Sequence, residues 1–226
     1  MNAAAADLPG NAAPAAHALP WVCTPRLALR EFDAADLPAL LAMHRDPRLR
    51  EHLVDDYPLH EDAVAALFLE RLAQAYRSHE GLGIWHASAL QPVPAFAGWF
   101  SLMPLAGRPG EVELGSRLLP SAWGSRLVFD GGELLLDHAF DRLGLQYVWG
   151  ICHEGNRSAL AVLATLGFEA MGVMPYDGSP ACHFRISLNA WHRQRNTPRA
   201  TRLRQALRPK ASGRAATVDA IEGICP

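Results

Sequence analysis

Residues 111–132, EVELGSRLLPSAWGSRLVFDGG, pass from a β-rich run through a turn bearing Pro120 and Gly124 into a helical pattern. A strand ending at Leu118–Leu119 that feeds a helix near Arg126 or Leu127 must return to its sheet. The next β-rich run, QYVWGIC over 146–152, is where it returns. The unit therefore predicts a helix crossing between two strands of one sheet. A helix start exposes backbone N–H groups at the positive end of the helix dipole, which suits a pyrophosphate. Gly124 would let the backbone approach such a ligand closely.

The rest of the chain supplies partners for these strands. Residues 26–32, RLALREF, alternate apolar and charged positions as a half-buried strand does. After Asp33, AADLPALLAMHRD carries apolar residues near helical spacing, with Asp33 or Asp36 available as N-cap. From His60 to Arg77, Val64, Leu67, Phe68, Leu72 and Ala75 mark one side of an amphipathic helix. Then the period changes: 83–90, 95–103 and 111–119 are short β-rich runs separated by loops with Pro92, Pro94, Pro104 and Pro109, predicting an antiparallel meander. Residues 127–143 read as a helix, and Arg157–Leu166 as another that Gly167 closes. FEAMGVMPY and ACHFRISL are two last strands joined around Asp177–Gly178. The expected fold class is α/β (α+β mixed): a central mixed, mostly antiparallel sheet of about seven strands flanked by about four helices. Trp85, Trp99 and Phe100 on the middle strands are expected in its core.

This domain is expected over 23–191, between a flexible leader at 1–22 rich in Ala, Pro and Gly and a basic, disordered tail at 192–226. Only a short basic helix near 199–207 is envisaged in that tail. The tail holds eight Arg/Lys against two Asp/Glu, a balance of +6 in a chain of net charge −2, so residues 1–191 carry −8. An acidic body weakly favours cationic substrates at long range, and a solvated tail is the simpler reading than one that binds nucleic acid. The apolar runs are too short to span a bilayer. The leader has neither a basic start nor a leucine-rich stretch, so a cytoplasmic protein is expected. The cysteines Cys23, Cys152, Cys182 and Cys225 form no CxxC and are expected as reduced thiols. Cys152-His153 and Cys182-His183 raise a metal site, but neighbours on a strand face opposite ways, so no metal is expected.

TPRLALREFDAADLPAL, EVELGSRLLPSAWGS and LLLDHAFDRLGLQYVWGICHEGNRSALAVLATLGFE, in this order over about 24–189, resemble the GNAT superfamily of acyl-CoA-dependent N-acetyltransferases. They are most similar to its ribosomal-protein-alanine N-acetyltransferase branch. The resemblance implies acetyl-CoA as co-substrate and a primary amine as acceptor, with direct attack, no acyl-enzyme and no metal. The acceptor is left open among a protein N-terminus, a polyamine-like or antibiotic amine and an amino acid. A homodimer is left open as well. The rival reading is an inactive acyl-CoA-binding or protein-interaction module on the same scaffold.

The resemblance assigns cofactor contacts to Leu118, Leu119, Trp123, Gly124, Ser125, Arg126, Leu127 and Asn156. Trp123 and Gly124 match the branch's Trp-Gly-x-Gly loop, whereas Ser121 and Arg126 stand where a Gln/Arg and a small residue are usual. Arg126 would block the pyrophosphate, turn its guanidinium to a CoA phosphate, or be a solvated side chain whose backbone still donates. Gly131-Gly132 would soften the helix's first turn or let it pack tightly on the sheet. Chemistry needs an amine without its proton, a polarised thioester carbonyl and a stabilised thiolate. Glu113 is the candidate base, with Glu111 on the same face, and Ser158 the candidate acid. A backbone N–H near Leu118 is the expected polariser. Asn156 and Ser158 are also ordinary residues for a helix start. Tyr176 is an acid by type, but its hairpin position points to packing on the substrate side, and His153 is a half-exposed histidine or a base. The segment 44–60, with His44, Arg45, Asp46, Asp55, Asp56 and Tyr57, is expected to border the acceptor groove.

Overall fold

The computed structural model describes residues 21–51, 58–78, 81–105 and 108–207. Its strands are β1 (Val22–Cys23), β2 (Leu27–Glu31), β3 (Gly83–Ala89), β4 (Ala95–Pro104), β5 (Val112–Leu118), β6 (Tyr147–Cys152), β7 (Glu169–Tyr176) and β8 (Ser179–Ser187). They form one sheet in the order β1-β2-β3-β4-β5-β6-β8-β7. All neighbours pair antiparallel except β5 and β6, which run parallel on either side of the crossover. The strand beyond the expected seven is β1, which straddles the expected boundary between leader and domain. Trp21 donates its N–H to the Leu29 carbonyl at 2.7 Å, and its ring stacks on Trp85 at 4.6 Å. The folded chain therefore begins before residue 23.

The helices divide between the two sheet faces. On one face α1 (Leu37–Arg45), α2 (Pro47–Arg50) and α3 (Asp62–Ser78) cover a core of Leu40, Leu41, Met43, Leu49, Leu69 and Leu72. Asp33 starts this layer: it accepts from the Ala35 N–H at 2.8 Å, and Asp36 reaches back to the Asp33 N–H at 2.9 Å, a reciprocal cap. On the other face α4 (Leu127–Asp137), α5 (Arg157–Leu166) and α6 (Leu188–Gln194) cover a larger core that includes Phe100, Leu135, Leu136, Val148, Leu166 and Trp191. Trp85 and Phe100 are buried as expected, whereas Trp99 is only partly buried, under the Arg117 guanidinium.

The double glycine of α4 sits at its closest approach to the sheet. A Cβ on Gly131 would lie 2.3 Å from the Phe100 ring, and one on Gly132 would lie 2.8 Å from Leu166 Cδ1. Phe100 is fully buried and has no room to yield. Gly131→Ala should thus destabilise the protein by about 1–2 kcal/mol in urea unfolding. The overpacking cost of about 1–3 kcal/mol outweighs the gain of roughly 0.5–1 kcal/mol that alanine normally brings to a helix. A stabilised variant would overturn this reading.

Residues 192–207 depart from the expected disordered tail, although the short basic helix envisaged near 199–207 is present. After α6 comes α7 (Arg199–Ala206), and both are tied to the domain. Trp191 is buried and donates its indole N–H to Asp137 at 2.8 Å, while Gln194 donates to the Leu166 carbonyl at 2.9 Å. Arg195 pairs with Asp141 at 2.5 Å and Asp137 at 3.3 Å. Arg199 bridges Asp130 at 2.7 Å and Glu133 at 2.6 Å, and Arg202 also pairs with Glu133. From the side of β2, Arg26 holds Asp130 through two bonds at 2.7 and 2.9 Å. The basic charge placed in a solvated tail is instead spent on an acidic side of α4. Residues 208–226, including Lys210 and Cys225, lie outside the described residues.

Candidate active site

The parallel pair β5–β6 shares a single register pair, Glu113 opposite Trp149, near the start of both strands. Beyond it the two strands run on unpaired to Leu118 and Cys152, so the sheet splits between them. Backbone polarity across the split follows from β5's other neighbour. The Leu119 N–H donates to the Ala97 carbonyl at 2.8 Å, and peptide groups alternate along a strand, so those of Ser116 and Leu118 point away from β4 into the split. The Leu118 carbonyl accepts the Trp123 indole N–H at 2.8 Å, consistent with that direction.

The loop from β5 to α4 leads out of the split. Trp123 is 51% exposed although its indole N–H is held. Gly124 has φ +69°, a left-handed conformation glycine adopts without strain, and a Cβ there would meet nothing within 4 Å. Ser125 Oγ donates to the Ala122 carbonyl at 2.5 Å and accepts from the Leu127 N–H at 3.3 Å, which fastens the turn to the helix. Arg126 is the N-cap residue of α4, and its exposed side chain caps nothing. Among the described residues, the N–H groups of Gly124, Arg126 and Val128 donate to no protein acceptor. Leu127 is buried beneath them and anchors the helix start to the core.

Across the split, Asn156 caps α5, its Oδ1 accepting from the Ala159 N–H at 3.0 Å. That is the ordinary work of an N-cap asparagine, and it leaves the amide NH2 to point elsewhere. Ser158 is exposed on the first turn of α5. His153 Nδ1 accepts from the Gly155 N–H at 3.0 Å and so shapes the turn into α5. The Cys152 thiol is pushed up to about 12 by burial and then by neighbouring Cys182, which makes it a poor nucleophile.

The sheet face opposite α4 gathers a second set of groups. Glu113, Gly115 and Arg117 share it along β5 by the period of two. Arg117 lies 3.2 Å from His44 Nδ1, which brings α1 to this face. Within the expected groove segment, Asp46 caps α2 and pairs with Arg48, and Arg45 pairs with Asp62. Asp55, Asp56 and Tyr57 lie outside the described residues. From β7, Tyr176 donates its hydroxyl to Glu113 Oε2 at 3.0 Å. Glu113 and Tyr176 thus meet across 63 residues of sequence, while no hydrogen bond among the described residues joins Ser158 to either. Beside Tyr176 stands His183 of β8, its ring 6.3 Å from both the Tyr176 and the Trp149 rings. Arg108 lies over Trp149 at 4.4 Å and within 3.5 Å of Glu111. The residue-level reading had Tyr176 on the substrate side but missed its bond to Glu113. It weighed His183 only as a metal ligand. Among the described residues no group of three or more His, Cys, Asp or Glu is arranged to hold a metal ion, and no helix is long and apolar enough to cross a membrane.

Residues 26–169 match the family model of the acetyltransferase (GNAT) domain. The chain is 26% identical over 202 residues to the FsC-acetyl coenzyme A-N(2)-transacetylase of Aspergillus fumigatus, covering 83% of this chain and 84% of that protein. Two solved structures share the fold. The ribosomal-protein-S5-alanine acetyltransferase of Vibrio fischeri superposes with a TM-score of 0.61 at 14% identity, over 75% of this chain and 97% of its own. The spermidine N-acetyltransferase of Vibrio cholerae, solved with CoA and spermine, gives 0.60 at 15% identity, over 75% and 99%.

Proposed function

The chain belongs to the GNAT acetyltransferase family and is an N-acetyltransferase, and we propose that it moves the acetyl group of acetyl-CoA to a primary amine by direct attack. The observation that carries this is the split between β5 and β6, which opens beside unbonded N–H groups at the start of α4. In this reading the thioester arm lies in the split and the pyrophosphate meets the N–H groups of Gly124, Arg126 and Val128, where the helix dipole favours negative charge. The Leu118 N–H polarises the thioester carbonyl. Leu118, Leu119, Trp123, Ser125 and Leu127 shape the cradle, and the Asn156 amide NH2 donates to the pantetheine arm. In this reading the GNAT domain expected over 23–191 extends back to Trp21 and takes in residues 192–207 as a brace.

The acceptor comes from the face that carries Glu113. Glu113, oriented by Tyr176, takes the amine's proton directly or through a water, and the freed lone pair attacks the carbonyl carbon. The nitrogen gives up its second proton to solvent as the C–S bond breaks, and the thiolate takes a proton from Ser158, which solvent restores. The relatives named for acetylating an N(2) nitrogen, a ribosomal-protein alanine and spermidine support an amine acceptor.

A thermal-shift titration with acetyl-CoA tests the cofactor reading, and thiol release across a panel of amines tests transfer. Absence of stabilisation at millimolar acetyl-CoA would sink the first. Binding without thiol release would favour the inactive module. The exposed, uncommitted side chain of Arg126 favours its turning to a CoA phosphate. Arg126→Ala should then weaken acetyl-CoA binding by about three- to tenfold, the scale of an exposed charge pair of up to ~1 kcal/mol or slightly more. Tighter binding in Arg126→Gly would instead mean that the arginine obstructs the site.

A further inference from the structure

His183 is 3% exposed, and neither of its ring nitrogens makes a hydrogen bond of good geometry, the Met174 backbone offering only a weak contact. The buried Trp149 Nε1, on the adjacent strand and in ring contact with it, also lacks a partner. Three polar atoms without a well-formed hydrogen bond thus lie side by side on the face that carries Glu113. A buried polar atom without a partner costs about 1–3 kcal/mol, and such groups in native proteins are nearly always satisfied by something. The Tyr176 ring stands against His183, while its hydroxyl points away to donate to Glu113. An amine brought to Glu113 therefore arrives next to the imidazole.

We infer that His183, with the Trp149 indole N–H beside it, reads the acceptor by hydrogen-bonding a neutral polar group that lies next to the reacting amine. This rests on the acetyl-transfer reading above. A neutral imidazole offers one donor and one acceptor, and the indole adds a donor. The matching partner is an amide or a hydroxyl, which can accept and donate at once. Burial and then the Arg108 guanidinium hold the His183 imidazole below its ordinary range, outweighing the Met174 backbone, so it stays neutral near pH 7. A second cation on the acceptor is disfavoured by the same Arg108 charge. The class named is thus an amine with an amide or hydroxyl within a few bonds, as opposed to a bare alkylamine or polyamine.

The test compares kcat/KM for alaninamide with kcat/KM for sec-butylamine, in which an ethyl group replaces the carboxamide. Reporting the ratio cancels general loss of activity and each amine's own reactivity. In His183→Leu the alaninamide-to-sec-butylamine ratio should fall about 10- to 100-fold below wild type, the loss expected for one or two hydrogen bonds to a buried group. His183→Gln, which keeps a donor and an acceptor, should recover part of the ratio. An unchanged ratio in folded His183→Leu overturns the inference while leaving the enzyme's acetyl transfer standing, as does, should that variant fail to fold, an unchanged ratio in Trp149→Phe, which removes the indole donor. A wild-type protein that is stabilised by acetyl-CoA yet acetylates neither amine, nor any other in a broad panel, overturns the transfer reading and the inference with it.

Discussion

Glu113→Gln is expected to lower kcat by about 10²–10⁴-fold, the range usual for loss of a positioned general base, with acetyl-CoA binding retained. Glutamine keeps the oxygen to which Tyr176 donates at 3.0 Å, so the local packing survives and the change falls on proton transfer. The deficit should also depend on pH in a definite direction. An α-amine has a pKa near ~8 and an alkylamine one above ~10. Without the carboxylate only amine already deprotonated by solvent can react, so the variant's rate should climb toward wild type as pH approaches the amine's own pKa. A deficit that stays constant between about pH 7 and 9.5 would show that Glu113 has another role. Steady-state rates with one amine across that range decide it.

Much of this site was legible in one dimension because its parts are local. The cradle is a run of adjacent residues, Trp123 to Leu127, and its chemistry follows from a strand end and a helix start. Asn156 was legible for the same reason, as an N-cap residue before an apolar helix. The run at 26–32 and the β-rich run at 111–119 returned as β2 and β5 with ends shifted by a residue, although β2 is buried on both faces and not half-buried. What failed was non-local. Tyr176 reaches Glu113 although β6 and β8 lie between their strands, and nothing in the two segments announces that contact. His183 was missed because Cys182-His183 was weighed only as a metal pair and set aside, and nothing in the segment places it beside Trp149 and Tyr176. The helix expected over 127–143 ends as α4 at Asp137 and continues as a π turn through Arg142.

The tail was misjudged for a different physical reason. Apolar periodicity finds helices that dock through an apolar face, and α7 docks through arginines. The signal existed in the partner instead: Asp130, Glu133, Asp137 and Asp141 recur at spacings of three and four along 130–141, which puts them on one side of a helix. An acidic stripe there and a basic run at 193–204 are complementary, and together they predict the brace that neither predicts alone.

That brace makes Asp130→Asn the substitution expected to cost most in stability, about 3 kcal/mol in urea unfolding at neutral pH. Asp130 is 4% exposed and sits between Arg26 and Arg199, so it joins the approach to β2, the first turn of α4 and the start of α7. Removing one partner of a buried ion pair costs about 3–5 kcal/mol, and the lower end applies because Arg199 keeps Glu133. Burial alone would push Asp130 and Glu133 up, but the hydrogen bonds from Arg26, Arg199 and Arg202 reverse this and hold both carboxyls below the usual carboxylate range. Groups with depressed folded values add stability that is present above their unfolded values near ~4 and lost as pH falls through the folded ones. Wild type should accordingly lose stability as pH drops below about 4, and Asp130→Asn should flatten that acid limb while starting from a lower plateau. The same carboxylate lies four residues from Arg126 and next to Gly131-Gly132, where the helix has least intrinsic support. Its loss should therefore loosen the N–H groups proposed to receive the pyrophosphate and weaken acetyl-CoA binding without touching the ligand. A variant within 1 kcal/mol of wild type would mean that the arginines find other partners and that α7 is not what holds the first turn of α4.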